Sequence, residues 1–323
     1  MGKKGQVKLR APACCRQNPL FLRHRIVLDF SGTIPAGHQS VRWLLCVILV
    51  VQAAVVRGEV AATSPTEFPF EYREGLLWVQ VQVAESREPL RFLLDSGAEV
   101  SVVNLDTAKR LGLSLGERVS VSSVQTTMPG YWPQKLSASA SGVTLPSDFL
   151  ALDLSKLSRA CEQSVDGLIG ADFFKGKIVQ IDFGAQKIRL LNASDAASKT
   201  ESSPLEIRRC GLCVKVSVNG GKPQRLRVDT GCATALQWVT SKVQPDRCAT
   251  KVAIGLAELN IPQTQTTVSL AGRTFRDVPT GLHRKAIFAG ESGLLGNGLL
   301  AQFGVVTIDA KSGRLILGRP SAQ

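Results

Sequence analysis

The sequence contains an internal repeat, which constrains the fold more than any other feature. Residues 77–97 read LWVQVQVAESREPLRFLLDSG, and residues 212–231 read LCVKVSVNGGKPQRLRVDTG. Both copies begin with alternating apolar and polar residues, which is the period of a half-buried strand. Both then have a polar turn and return on an apolar strand that ends in Asp-Ser-Gly or Asp-Thr-Gly. The sequence therefore predicts the same β-hairpin twice.

A second pair of similar segments follows later in each copy. Residues 166–182 read DGLIGADFFKGKIVQID, and residues 292–309 read SGLLGNGLLAQFGVVTID. Each has two apolar residues and a glycine, then a short helical stretch and a strand that ends in Ile-Asp. A turn and a last apolar strand follow, at 188–191 and 315–317. The shared order of elements indicates two homologous units.

The two units extend over residues 66–195 and 205–320. The segment 196–204 between them is small, polar and proline-terminated, which is the composition of a linker. Within each unit many short strands alternate with turns, and residues 105–113 are the best helix candidate. We expect an all-β protein of two similar lobes with few short helices.

The first 60 residues differ from the rest in charge. They contain nine Lys or Arg against Asp29 and Glu59, which gives +7 of the formal net charge of +13. The other basic residues are scattered, without a basic run or a known DNA-binding motif. Nucleic acid is therefore not an expected partner.

Residues 43–56 form an apolar run, WLLCVILVVQAAVV, that follows Arg42. The run is shorter than the ~20 apolar residues of a transmembrane helix, so it fits a signal peptide or an uncleaved, tilted membrane anchor. The 42 residues before the run are longer than a usual signal-peptide start. One interpretation is that the chain begins shortly before Arg42. We expect residues 1–60 to place the rest outside the cytoplasm, either exported (periplasmic or secreted) or membrane-anchored.

The cysteine pattern predicts neither a metal site nor a cofactor. Of eight cysteines, the five outside the N-terminal segment are Cys161, Cys210, Cys213, Cys232 and Cys248. Five cannot all pair internally, although the four in the second half could form up to two disulfides in an exported protein. Cys210 and Cys213 are spaced like half of a zinc site, but no second pair of Cys or His accompanies them.

The tripeptides at 95–97 and 229–231 carry the candidate chemistry. One Asp-Ser-Gly is weak evidence, because all three residue types form turns. Here each copy follows a matching hairpin and precedes a matching apolar-apolar-Gly element, so we interpret Asp95 and Asp229 as a functional pair. Two carboxyls in contact cannot both ionise cheaply, so they share a proton. The ionised partner can then take a proton from water while the neutral partner donates one to a substrate carbonyl.

With these residues the chain resembles the aspartic protease superfamily of pepsins and retropepsins, which is the standard example of such a shared proton. The resemblance rests on Asp95-Ser-Gly-Ala98, on Asp229-Thr-Gly-Cys232 and on the two apolar-apolar-Gly elements. It spans about residues 70–320. The short lobes are similar to those of retropepsins, which usually dimerise, whereas carrying both halves in one chain is similar to pepsins.

The resemblance implies two β-barrel-like lobes, related by pseudo-twofold symmetry, with a peptide cleft between them. It implies that Asp95 and Asp229 are catalytic and that the hydroxyls of Ser96 and Thr230 lock the two loops together. The residues that it places in or beneath these loops are Ser96, Gly97, Ala98, Thr230, Gly231, Cys232, Leu168, Ile169, Gly170, Leu294, Leu295 and Gly296.

Two features depart from the pepsin pattern. Pepsins cover the cleft with a flap that carries a tyrosine. The candidate here is the turn-rich stretch 126–133, in which Tyr131 or Trp132 could serve, although such a stretch is also typical of a simple loop. Ala98 and Cys232 stand where pepsins often have a hydroxyl. A missing hydroxyl removes a hydrogen bond to the carboxylate and raises its pKa, so we expect a pH optimum less acidic than that of pepsin.

These expectations describe a monomeric aspartic endopeptidase that hydrolyses peptides or unfolded proteins without a metal or cofactor. A second interpretation is a catalytically inactive peptide-binding module on the same fold. A third is a structural β protein of the cell envelope whose repeats only pack. Two intact aspartates favour the enzyme, because a binding module does not need both acids.

Overall fold

The computed structural model describes residues 66–123, 126–194, 201–208, 211–254 and 257–318. The predictions for residues 1–60 lie outside these ranges. Within them the strands are β1 (Thr66–Pro69), β2 (Glu71–Arg73), β3 (Leu76–Val83), β4 (Leu90–Leu94), β5 (Val102–Asn104), β6 (Leu115–Ser123), β7 (Thr126–Pro133), β8 (Ala138–Ala140), β9 (Val143–Thr144), β10 (Leu150–Leu152), β11 (Gly167–Ile169), β12 (Ile178–Asp182), β13 (Lys187–Leu190), β14 (Glu201–Arg208), β15 (Gly211–Val218), β16 (Gln224–Asp229), β17 (Leu236–Val239), β18 (Arg247–Ile254), β19 (Ala257–Leu270), β20 (Arg273–His283), β21 (Gly293–Gly296), β22 (Val305–Asp309) and β23 (Arg314–Leu317).

Helices in the same ranges are short. They are α1 (Leu105–Arg110), α2 (Ser155–Ala160), α3 (Asn297–Leu300) and the 3₁₀ turns Ala171–Phe174 and Ala301–Phe303. Among the described residues, no helix is both long enough and apolar enough to cross a membrane. The predicted all-β fold with few short helices is confirmed.

The first repeat forms a ten-stranded sheet in the order β6-β7-β10-β5-β11-β4-β3-β8-β9, with β2 paired to β3. Strand β11 lies between β4, to which it is parallel, and β5, to which it is antiparallel. This pairing brings distant segments together, and the N–H of Asp95 donates to the carbonyl of Ile169 at 2.9 Å. The Asp-Ser-Gly segment therefore lies beside the apolar-apolar-Gly element.

The second repeat has the same topology, in the order β18-β19-β20-β17-β21-β16-β15. Strand β21 is parallel to β16 and antiparallel to β17, as β11 is to β4 and β5. Strand β20 is parallel to β17, as β10 is to β5. The two repeats seen in the sequence are thus two copies of one strand arrangement. The residue bounds 66–195 and 205–320 stay a prediction.

A sheet shared by both repeats joins them, in the order β1-β13-β12-β22-β23-β14. At its centre β12 of the first repeat pairs antiparallel with β22 of the second, from Ile178 opposite Asp309 to Asp182 opposite Val305. Residues 201–204, which composition assigned to the linker, form the beginning of β14 and pair with β23. The reason is that strand β23 needs a hydrogen-bonding partner on its outer side, which local composition cannot reveal.

One apolar core extends through both repeats. Its largest fully buried side chains include Phe68, Phe92, Phe149, Phe173, Phe174 and Phe303. Each such side chain contributes roughly 1.5–3 kcal/mol when it leaves water. The core therefore gives the two loops a rigid base, because strands β4 and β16 carry buried residues up to the aspartates.

Two local predictions had different outcomes. The predicted helix at 105–113 is confirmed as α1, which ends before Gly112, a residue with a φ of +71°. The description of residues 126–133 as turn-rich was wrong, because these residues form strand β7, which pairs along its length with β6. Strand β10 pairs with β7 only at Tyr131, so the rest of the β6–β7 hairpin projects from the sheet. Pro129 lies in this projecting part, where its missing N–H breaks no bond to β10.

Candidate active site

The two Asp-[Ser/Thr]-Gly loops are joined by a reciprocal set of hydrogen bonds between the repeats. The Ser96 hydroxyl donates to the carbonyl of Val228 at 2.8 Å and accepts the N–H of Thr230 at 3.1 Å. The Thr230 hydroxyl donates to the carbonyl of Leu94 at 2.8 Å and accepts the N–H of Ser96 at 2.9 Å. Both residues are fully buried. Because water cannot reach these groups, the bonds fix one loop against the other.

Each carboxyl group lies against the glycine of the opposite loop. A Cβ atom added to Gly97 would be 2.5 Å from Cγ of Asp229, and one added to Gly231 would be 2.5 Å from Cγ of Asp95. Real Cβ atoms do not come this close to other heavy atoms. Glycine is therefore required at both positions, because only glycine lets the two carboxyls approach each other.

The two carboxyls receive different numbers of backbone hydrogen bonds. Oδ1 of Asp95 accepts the N–H groups of Gly97 at 3.0 Å and Ala98 at 3.1 Å. Oδ1 of Asp229 accepts the N–H of Gly231 at 2.9 Å. Asp95 is 8% exposed and Asp229 is 6% exposed, so the pair is nearly closed off from solvent while retaining a small accessible surface.

The environment favours a shared proton. Burial raises the pKa of Asp95 above its usual value, against the effect of the two backbone donors. Burial and, next, the charge of Asp95 raise the pKa of Asp229 well above its usual value. Two such carboxyls titrate as one unit, with one proton held between them over a range of pH.

The apolar-apolar-Gly elements support both loops in the same way. The N–H of Ala171, directly after Gly170, donates to the carbonyl of Ala98 at 2.8 Å. The N–H of Asn297, directly after Gly296, donates to the carbonyl of Cys232 at 2.8 Å. The predicted elements at 168–170 and 294–296 therefore lie against the predicted loops, and the structure brings all of these residues together at one place.

Known proteins share both the first loop and the fold. Residues 79–173, which include Asp95-Ser-Gly and β11, match the family described as aspartyl protease. The crystal structure of an aspartic proteinase from Irpex lacteus is similar, with a TM-score of 0.50 and 12% sequence identity. The similarity covers 80% of this chain and 98% of that one, and at this identity it shows the fold alone. The first repeat thus matches the aspartyl protease family in sequence, and the chain has the fold of an aspartic proteinase. No match was found among curated proteins.

The second loop has a thiol, Cys232, where pepsins often have a hydroxyl. Sγ of Cys232 forms a hydrogen bond with the hydroxyl oxygen of Thr234 at 3.2 Å. Burial raises the pKa of Cys232 to about 12, so the group is a neutral thiol near neutral pH. Cys161, Cys213, Cys232 and Cys248 are free thiols. Within the described ranges no group of three Cys, His, Asp or Glu residues could hold a metal ion.

The flap candidates, Tyr131 and Trp132, lie on strand β7. Tyr131 pairs with both Arg118 of β6 and Ala151 of β10, which places it at the base of the hairpin. Trp132 is partly buried against the apolar cluster that contains Trp78 and Leu93. Both residues lie in the second half of β7, which begins at Thr126.

A second projecting hairpin, β18–β19, has the same place in the second repeat. Val252 and Leu259 of this hairpin pack against the cluster that contains Cys232 and Leu294. Sequence reasoning missed it, because residues 247–264 lack a clear apolar alternation. The repeat itself was the available signal. A hairpin lies between the Asp-Ser-Gly loop and the apolar-apolar-Gly element of the first copy, so an equivalent hairpin is expected in the second copy.

Proposed function

We propose that the protein is an aspartic endopeptidase and that Asp95 and Asp229 are its catalytic residues. The observation that supports this most directly is the pairing of two buried carboxyls, each held against the opposite glycine by loops that are hydrogen-bonded to each other. A purely structural role would not need two acids side by side, because an acid paired with a base would cost less to bury. Two acids in contact are costly for stability, which favours a chemical role.

The proposed reaction uses the pair as both acid and base. The ionised carboxyl accepts a proton from a water molecule, whose oxygen attacks the carbonyl carbon of the peptide bond. The neutral carboxyl donates its proton to the carbonyl oxygen, which gives a tetrahedral intermediate. Proton transfer to the leaving nitrogen then breaks the C–N bond. Because the two groups titrate as a pair, the acid and base roles are not assigned to individual residues.

The substrate class follows from what surrounds the pair. Ala98 of the first loop is part of an apolar cluster that also includes Val119 and Met128 of the β6–β7 hairpin. Cys232 of the second loop is part of a similar cluster that reaches the β18–β19 hairpin. Apolar surface on both sides of the acids favours peptides with apolar side chains in an extended conformation. We expect unfolded proteins and peptides as substrates and a monomeric enzyme outside the cytoplasm.

The test is proteolysis of an unfolded protein by the full-length chain over about pH 3–8. Asp95→Asn and Asp229→Asn are each expected to lose activity while remaining folded by circular dichroism. Asp148→Asn is the matched control, because Asp148 is exposed and forms only a long contact with Lys135. Activity retained by either dyad variant would refute the proposed mechanism.

A folded wild-type protein that is inert over the whole pH range would point to the inactive peptide-binding module. In that case a statine-containing peptide, which imitates the tetrahedral intermediate, would still bind to the wild type. If the wild type neither cleaves the substrate nor binds the peptide, the structural β protein is the interpretation that stands.

A further inference from the structure

Arg227 is a buried cation two residues before Asp229 on strand β16. Its side chain is 3% exposed. The residue in the same position of the first repeat, two before Asp95, is Leu93, which is buried in an apolar cluster. The repeats are therefore unlike at this position, although the strands on which the residues lie are equivalent.

The guanidinium of Arg227 has three partners. Its Nε donates to Oε2 of Glu291 at 2.9 Å, and its Nη2 donates to Oε1 of the same carboxylate at 2.7 Å. Its carbon lies 3.7 Å from the ring centroid of Phe288. Its Nη1 crosses to the first repeat and donates to the carbonyl oxygen of Gly97 at 2.9 Å.

The ion pair alone does not explain a buried arginine. Burying two charges is costly, and an apolar pair of similar volume is often as stable or more stable. Leucine at the equivalent position of the first repeat shows that the fold accepts an apolar residue there. The contact that leucine cannot provide is the hydrogen bond to Gly97.

We propose that Arg227 is a positioning residue for the Asp95/Asp229 pair, which it serves by holding the Gly97 carbonyl from the opposite repeat. The Gly97 carbonyl and the Ala98 N–H belong to one planar peptide unit, so holding the oxygen also fixes the direction of the N–H. That N–H donates to Oδ1 of Asp95 at 3.1 Å. Arg227 thus orients a donor onto Asp95 without touching the reacting atoms.

The second loop lacks an equivalent device at the described residues. The N–H groups of Ala98 and Cys232 correspond, and they donate to the backbone oxygens of Asp95 at 3.2 Å and Asp229 at 3.3 Å. Of the two, the Ala98 N–H also donates to the carboxylate of its aspartate. Asp229 therefore has one backbone donor on its carboxylate, whereas Asp95 has two. The consequence is that the negative charge of the pair is favoured on Asp95, and the two acids are inequivalent before any substrate binds.

Among the described residues, a small number of charged and titratable groups surround Arg227. Glu291, Glu99 and the thiol of Cys213 act on Arg227, and Cys213 stays neutral because burial raises its pKa to about 12. The positive charge of Arg227 acts on both aspartates and lowers the pKa of each, which partly opposes burial. The other nearby thiol, Cys232, is also neutral. Any change in titration of the pair after removal of Arg227 is therefore assigned to Arg227 and Glu291.

The kinetic consequences rest on the proposed function and are tested with two variants of the full-length chain. The double variant Arg227→Leu/Glu291→Leu removes the pair without leaving a lone buried charge. Its kcat is expected to fall roughly ten- to a hundredfold, with a smaller change in KM, because the lost contact is not with substrate. The acidic limb of its pH–rate profile is expected to move to higher pH. Arg227→Lys keeps the charge but not the fork of donors, so kcat should fall while the acidic limb stays near that of the wild type.

The matched control is the ion pair of Arg225 and Glu206. Arg225 lies on β16, two residues before Arg227. Arg225→Leu/Glu206→Leu should leave kcat and the pH–rate profile unchanged. A merely structural role for Arg227 would lower the melting temperature of its double variant without moving the acidic limb, and this result would overturn the proposal. Wild-type kinetics in the double variant would also overturn it.

A readout independent of activity separates this inference from the proposed function. Carbon-13 NMR of labelled aspartate carboxyls, assigned with Asp95→Asn and Asp229→Asn, follows the titration of the pair directly. In the double variant both carboxyls should titrate at higher pH, and the two should become more alike. If the wild type is inert, the proposed function fails, yet this titration still decides the role of Arg227. An unchanged titration in the double variant would overturn it.

Discussion

The substitution Thr230→Val removes one hydroxyl from the junction of the two loops and keeps the shape of the side chain. That hydroxyl donates to the carbonyl of Leu94 at 2.8 Å and accepts the N–H of Ser96 at 2.9 Å. Ser96 and Thr230 have no solvent-exposed surface, so water cannot replace either bond. A buried polar group left unpaired costs about 1–3 kcal/mol, and this change leaves two of them. We expect the free energy of unfolding to fall by about 2–6 kcal/mol.

Urea unfolding followed by circular dichroism measures this loss, with Thr230→Ser as the matched control. The serine variant keeps the hydroxyl and loses one methyl group, which costs roughly 1 kcal/mol in a buried position. A domain is typically stable by about 5–15 kcal/mol, so the valine variant should unfold at a clearly lower urea concentration. If the valine and serine variants agree within about 0.5 kcal/mol, packing rather than hydrogen bonding joins the loops, and the argument is refuted.

Three further predictions concern the glycines, the pair and the thiols. Gly231→Ala places a Cβ 2.5 Å from Cγ of Asp95, so the carboxyls must separate, and kcat/KM should fall at least ~100-fold in the proteolysis assay. Asp229 has a raised pKa in the folded state, so its contribution to stability is present below the unfolded pKa and is lost as pH rises through the folded pKa. Asp229→Asn should therefore raise the melting temperature at about pH 7, and the gain should disappear near pH 3. Iodoacetamide should modify the exposed Cys248 but not the buried Cys232 in the folded protein, as peptide mapping would show.

Each of these has a contrary result. A fully active Gly231→Ala variant would mean that the carboxyls are not held in contact. A wild type more stable than Asp229→Asn at neutral pH would mean that Asp229 gains more from its partners than burial costs. Modification of Cys232 before Cys248 would mean that the second loop opens to solvent.

Sequence patterns were sufficient where structure depends on neighbours along the chain. The alternation in β3 and β15 and the apolar return strands β4 and β16 identified both hairpins, because side-chain period is a local property. The repeated Asp-[Ser/Thr]-Gly tripeptides identified Asp95 and Asp229 as a pair, since two copies in matching contexts are far less frequent by chance than one. Helix α1 was also found, because its sequence favours a helix before Gly112.

Tertiary structure decided the features that depend on segments far apart in sequence. Strand β7, with two prolines and a glycine, forms because β6 pairs with it, and residues 201–204 become a strand because β23 lies beside them. The pairing of β12 with β22, which joins the repeats, joins residues more than 120 positions apart. None of these contacts has a local signal.

Arg227 shows the same limit at the candidate site. In the sequence it is a polar residue in a short strand, and nothing nearby indicates burial. Its proposed role depends on contacts with Glu291, 64 residues later, and with the carbonyl of Gly97, 130 residues earlier. A motif identifies the residues proposed to carry the chemistry. The charges and hydrogen-bond donors around them come from distant groups, which only folding brings within hydrogen-bond distance.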